Sequence, residues 1–145
     1  MAEKSSNFSV KPFSQKVIKP WGYELIVTSE DSPVTSKILH LEDGKRFSFQ
    51  YHDQKMETLT LIQGEAKMIL ENDQGEMEEI KMELNEGYLI RPFQKHRAQG
   101  IKDCLIFESS TREEGNTVRL EDDYSRGTET EEKRKTRTKA GVYLG

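Results

Sequence analysis

Gln50-x-His52, followed after four residues by Glu57, brings an amide, an imidazole and a carboxylate into one short stretch of chain. In an extended strand residues two apart share a face, so Arg46, Ser48, Gln50 and His52 line one side and Phe47, Phe49 and Tyr51 the other. A polar face backed by aromatic residues predicts a barrel lumen or a cleft rather than an ordinary core. Glu57 opens the next strand and can converge on the first two groups in an antiparallel pair. A fourth ligand has to come from elsewhere, and the sequence has three histidines. His40, flanked by Leu39 and Leu41, reads as a satisfied core or surface histidine. His96 follows a strand and turn over residues 87–95 that can carry its imidazole back to the cluster. Gln50, His52, Glu57 and His96 together suit a divalent first-row metal, zinc most readily, with manganese, iron or nickel also compatible. A lone strand glutamine is commonly just hydrogen-bonded, however, and a His-x4-Glu pair often arises by chance.

The elements that must position these groups read as strands. Short apolar and β-branched runs cover residues 23–28, 34–41, 57–62, 66–70, 78–82, 88–91 and 104–108, with turn residues between them at roughly ten-residue spacing. Glu30-Asp31-Ser32-Pro33, Asp43-Gly44 and Glu71-Asn72-Asp73-Gln74-Gly75 are turn sequences. Lys19-Pro20-Trp21-Gly22 punctuates the entry to the first strand. A 3.6-residue period is hinted at only over residues 120–125. The expected fold is all-β: a single sandwich or barrel.

Three regions follow. Residues 1–16 lack a period and read as an N-terminal arm that docks through Phe8, Val10 and Phe13. Residues 17–126 carry the β domain. Residues 127–145 form a charged tail in which Glu129, Glu131 and Glu132 precede Lys133, Arg134, Lys135, Arg137 and Lys139. That acid-before-base order supports a short helix, but the lack of an apolar face favours a solvated tail.

At 145 residues the chain suits one core. Its apolar and charged fractions are both 33%, which fits polar ends or a hydrated interior. A net charge of −4 argues against a nucleic-acid binder, which needs a clustered basic surface. No apolar run is long enough to span a bilayer. The first residues lack the apolar core of a signal peptide. The single cysteine, Cys104, excludes an internal disulfide and reads as a small buried hydrophobe. A cytoplasmic location is the expectation.

Gly44-x5-Gln50-x-His52-x4-Glu57-x6-Gly64 resembles the first cupin motif, with Gln50 in the place of its first histidine. Gly87-x4-Pro92 followed by His96 resembles the second, although Pro92-Phe93-Gln94-Lys95-His96 lacks the family's glycine and is one residue shorter. A one-residue change in a strand reverses facing. The form Ser48-x-Gln50-x-His52-x4-Glu57 is similar to the cupin domain of mannose-6-phosphate isomerases, including the C-terminal part of the bifunctional type II enzymes. Lys19-Pro20-Trp21-Gly22-x-Glu24, His96-Arg97 and Val118-Arg119-Leu120-Glu121-Asp122-Asp123-Tyr124-x-Arg126 extend the match over residues 17–126.

The resemblance implies a double-stranded β-helix, or jelly-roll barrel, and a homodimer. It implies a metal-dependent isomerase or epimerase acting on a sugar phosphate or nucleotide sugar. In that setting Arg46 and Arg97, with Ser48, would bind substrate, and Lys37 and Glu57 would be catalytic. Two further functions fit the same motifs: a non-catalytic cupin that binds a sugar or nucleotide sugar, and a metal oxygenase. The replacement of a histidine by Gln50 counts against the oxygenase.

Overall fold

The computed structural model describes residues 8–140. Its elements are β1 (Gln15–Lys19), β2 (Gly22–Ile26), β3 (Val34–Leu41), β4 (Phe49–His52), β5 (Glu57–Gln63), β6 (Ala66–Glu71), β7 (Met77–Lys81), β8 (Gly87–Ile90), β9 (His96–Gly100), β10 (Cys104–Thr111), β11 (Thr117–Glu121) and one helix, α1 (Glu131–Ala140). The strands form two sheets, ordered β1-β2-β3-β10-β5-β8 and β11-β4-β9-β6-β7. Named strands pair antiparallel throughout. This is the all-β jelly-roll barrel expected from the sequence. No helix among the described residues is long and apolar enough to cross a membrane.

Strand alternation explains how the interior is filled. On β3 the buried positions are Thr35, Lys37, Leu39 and Leu41; on β10 they are Cys104, Ile106, Glu108 and Ser110; on β5 they are Glu57, Leu59 and Leu61. The register aligns these rows, with Leu41 opposite Cys104, Leu39 opposite Ile106, and Lys37 opposite Glu108. Ile106 faces Leu61, Glu108 faces Leu59, and Ser110 faces Glu57. The interior is therefore apolar at one end of these strands and ionised at the other. Leu41, Leu59, Leu61, Met68, Ile90 and Ile106 are at most 1% exposed and hold the apolar end. Full burial of each such side chain contributes about 1.5–3 kcal/mol.

Gly64, the last glycine of the first motif, sits at φ 89°, where a Cβ would lie 2.2 Å from the Asp103 carbonyl oxygen. Only glycine allows the β5–β6 turn to pass so close to the start of β10.

Several elements depart from the sequence expectation. β1, β9 and β11 were not anticipated, because QKVIK, HRAQG and TVRLE are too polar or too small to announce a strand. Residues 120–125 form the end of β11 and a turn rather than a helix. The charged tail takes its helical alternative as α1, and Arg134 turns inward to full burial. Residues 1–7 of the arm lie outside the described residues, while Phe8, Val10 and Phe13 are exposed. Cys104 is buried, and burial pushes its thiol up to about 11.

Candidate metal centre at the charged end of the barrel

β4, β5 and β9 deliver His52, Glu57 and His96 to one point. One ligand atom from each lies within 4.8 Å of the others, and all three residues are buried. The missing residue in the second motif is absorbed before β9, and His96 faces inward. Glu57 Oε1 is 3.2 Å from His52 Nε2 and 3.3 Å from His96 Nε2. The other carboxylate oxygen, Oε2, receives Lys55 Nζ at 3.1 Å.

The far sides of both imidazoles are held. His96 Nδ1 is 2.9 Å from the Gln94 carbonyl, which can only accept, so that nitrogen carries the proton. His96 Nε2, on the other side of the ring, is turned to Glu57, and this buried atom has no hydrogen-bond partner. His52 Nδ1 lies 2.9 Å from the Thr117 hydroxyl. Burial, then the Lys55 ammonium, lowers the His52 pKa to about 4, which keeps the ring neutral, with Nε2 hydrogen-bonded to the Glu57 carboxylate at 3.2 Å. Burial alone would raise the Glu57 carboxyl, but the Lys55 ammonium and the hydrogen bond from His52 Nε2 hold it well below the usual carboxylate range.

Two imidazoles and an ionised carboxylate, oriented from behind, fit a divalent cation. An orphaned imidazole nitrogen facing a carboxylate oxygen is the arrangement that a shared cation satisfies.

Gln50 stands between the two halves of this site, opposite His96 on β9 and Arg119 on β11. It lines the same cavity as His52 and Glu57, and its Oε1 accepts a 2.5 Å hydrogen bond from Ser48. His40 is not part of the cluster: it packs its ring 4.9 Å from Tyr23.

Behind the ligands lies an ion network. Lys55 Nζ bridges Glu57, Glu108 at 3.3 Å and Glu113 at 3.2 Å. Lys37 pairs with Glu113 and with Glu24. Burial opposes the charge on Lys37, but Glu113 and Glu24 outweigh it and push its pKa up to about 12. Arg134 of α1 closes the network, reaching Glu113 and Glu129 at 3.1 Å each and the Gly115 carbonyl at 3.0 Å.

Arg46 and Arg97 occupy the other side of the sheet. Arg46 makes a two-pronged pair with Asp123 at 2.7 and 2.8 Å, and Arg97 donates to the Phe47 carbonyl at 3.0 Å. The alternation that assigns Arg46 to the lumen breaks at Phe47 and Ser48, both of which are buried. Regular pairing of β4 begins only at Phe49, and Arg46 touches β9 through an isolated bridge to Gln99. Phe47 turns inward against Trp21, with ring centroids 4.5 Å apart. Phe49 and Tyr51 remain half-buried on the outer face.

Lys55, Glu108, Glu113, Thr117 and Arg119 line the cavity without having been singled out from sequence. One signal was available for Glu108: a carboxylate two residues beyond Ile106 in an inward row, at the same depth as Lys37.

No family model matches the chain, and no curated protein matches it. Solved structures do. A cupin superfamily protein from Desulfitobacterium hafniense is 14% identical with a TM-score of 0.52, over 61% of this chain and 74% of that one. Oxalate decarboxylase from Bacillus subtilis, in a study of its Mn(II) centres, is 14% identical with a TM-score of 0.64, over 96% of this chain and 39% of that one. The capsular polysaccharide assembling protein CapF from Staphylococcus aureus is 13% identical with a TM-score of 0.60, over 88% of this chain and 33% of that one. The chain thus spans between a third and two fifths of the last two. The likeness is one of fold: this chain folds as these cupin-type structures do.

Proposed function

We propose that this barrel is a metal-dependent isomerase or epimerase acting on a sugar or sugar derivative. The observation that carries the proposal is the orphaned Nε2 of His96, oriented by the Nδ1 hydrogen bond to the Gln94 carbonyl and aimed at an ionised Glu57. His52, Glu57 and His96 would hold the ion, with Gln50 beside them. Zinc suits two imidazoles and a carboxylate best, and manganese is the metal of the oxalate decarboxylase study. When bound, a divalent ion supplies a Lewis acid for a carbonyl or a pair of hydroxyls.

The chain's own residues supply the rest. Thr117 and the Gln94 carbonyl fix the imidazoles, and Lys55 fixes the carboxylate. Lys37 stays protonated at neutral pH between two carboxylates, so it acts as a fixed positive charge rather than as a base. The lumen is lined by ion pairs and hydroxyls, which suits the hydroxyl-bearing part of a sugar. A phosphate would meet Arg46 and Arg97 only behind β9, so mannose 6-phosphate is one member of a substrate panel rather than the presumed substrate.

A specific observation also favours a binding role: CapF is named for polysaccharide assembly. The homodimer belongs to the same proposal, and sedimentation equilibrium of the purified protein checks it.

The deciding experiment is metal analysis of the purified protein, followed by assay of the zinc- and manganese-loaded forms on free sugars, sugar phosphates and nucleotide sugars. Stoichiometric metal with conversion of one class supports the isomerase. Full metal occupancy with calorimetric sugar binding and no conversion supports the binding module. Absence of metal binding overturns both.

A further inference from the structure

Glu108 is 4% exposed and lines the cavity that holds Gln50, His52 and Glu57. It lies next to the cluster without belonging to it. Both hydrogen bonds to its carboxyl land on Oε2, from Lys55 Nζ at 3.3 Å and from Ser110 Oγ at 3.1 Å. Its Oε1 has no hydrogen-bond partner among the described residues. A single ammonium, that of Lys55, separates it from the carboxylate of Glu57.

The charged groups around Glu108 come from every neighbouring element: Lys37 on β3, Glu57 on β5, Lys55 between β4 and β5, and Glu113 between β10 and β11. Each of the others has a fixed duty. Glu57 turns one oxygen to the two imidazoles and the other to Lys55. Glu113 is held by Lys37, Lys55 and Arg134. Lys37 and Lys55 are locked between carboxylates.

Resting on the isomerase proposed above, we propose that Glu108 is the catalytic proton-transfer residue of this cavity. In an aldose–ketose interconversion its carboxylate takes the proton from the carbon beside the carbonyl. The freed C–H electron pair forms the carbon–carbon double bond of an enediolate, and the carbonyl pair moves to oxygen. The carboxylic acid then returns the proton to the neighbouring carbon, while a hydroxyl proton passes between the two substrate oxygens. No oxidant or reductant is consumed. Burial, with Glu57 and Glu113 working against Lys55 and Lys37, raises the carboxyl to about 7, so both its forms are populated at neutral pH. That is the condition under which a general acid–base is most effective.

The test uses the metal-loaded full chain and the first sugar that the wild type converts. Glu108→Gln keeps its metal content and its calorimetric affinity for the sugar. Its kcat falls by about 100- to 10,000-fold, and exchange of the substrate C–H with D2O is lost. The wild-type limb of the kcat/KM–pH profile near neutrality disappears from the residual activity, which a purely structural role would not cause. Glu108→Asp recovers part of the rate. A Glu108→Gln enzyme with wild-type kcat, exchange and pH profile overturns the assignment while the isomerase stands. Should that variant not fold, unaltered kcat and pH profile in Glu108→Asp overturn it equally. A wild type that binds metal and converts no sugar overturns both the isomerase and the role of Glu108.

Discussion

The Nε2 of His96 lies 3.3 Å from Oε1 of Glu57, yet this buried nitrogen makes no hydrogen bond. Its Nδ1–H donates to the Gln94 carbonyl, and Lys55 with the hydrogen bond from His52 keeps the Glu57 carboxyl ionised. A buried ring nitrogen left unpaired beside a carboxylate is costly unless a cation joins the two.

Metal affinity should therefore depend on this pair. Glu57→Gln and His96→Ala should each weaken zinc binding by at least about 100-fold, the scale on which even groups supporting metal ligands act. Gln94 acts through its backbone, so Gln94→Ala should bind zinc as the wild type does. Competition against a chromophoric chelator measures all three, and a tightly zinc-bound His96→Ala would refute the site.

Metal should also stabilise the fold. An ion that binds only the native state raises stability by about 2.7 kcal/mol at a free concentration 100 times its Kd. Adding zinc should raise the wild-type Tm and leave that of His52→Ala/His96→Ala unchanged. Equal shifts in the two proteins would place the bound metal elsewhere.

How far the sequence reached depended on strand parity. The spacing Ser48, Gln50, His52 marked an inward polar face, and that face is inward. The same count assigned Arg46 to the lumen, but the backbone loses a step at Phe47 and Ser48 and sends Arg46 out to Asp123. Lys37 opposite Glu108 is a fact of register between strands nearly seventy residues apart, and one sequence carries no direct signal of it. β9 escaped notice because His96, Ala98 and Gly100 are buried where a strand usually shows β-branched residues. The helix α1 gave no apolar stripe to read, since its inward contact is the Arg134 guanidinium on Glu113 and Glu129.

Lys55 should be a keystone of stability. Replacing it with Met leaves Glu57, Glu108 and Glu113 with one compensating charge fewer in a buried site, at a cost of about 3–5 kcal/mol. Pairing Lys55→Met with Glu108→Leu should recover part of that loss, because the two residues share one interaction. Urea denaturation of the two single variants and the double variant measures the coupling. Additive losses would show that the bridge contributes nothing.

The pH dependence of metal-free stability should carry the mark of His52. Its pKa in the fold is about 4, against an ordinary value of 6.5, so the native state resists the proton that the unfolded chain accepts. The contribution is complete above pH 6.5 and is lost as pH falls towards 4, by about 3 kcal/mol in all. Glu108 has the opposite sign: with its pKa raised to about 7, its contribution is full at low pH and lost as pH rises to neutrality. Unfolding free energies of wild type and His52→Gln between pH 4 and 7 should therefore differ in slope below pH 6.5. Parallel curves would mean that His52 is not held neutral.

The two motif glycines at positive φ should respond differently to alanine. Gly44 has φ 74° and open space where a Cβ would stand, so Gly44→Ala meets only the left-handed backbone penalty of about 1–2 kcal/mol. Gly64, at φ 89°, bears the same penalty and adds a Cβ 2.2 Å from the Asp103 carbonyl and 2.8 Å from Cys104 Cα. Both of those neighbours are backbone at the start of β10, so relief requires moving the strand that carries Glu108. Gly64→Ala should cost several kcal/mol, in the range above about 4 that marks a specific structural fault. Thermal unfolding of the two variants side by side separates the contributions. Equal losses would mean that the turn gives way without disturbing β10, and the close approach would then not be what fixes that glycine.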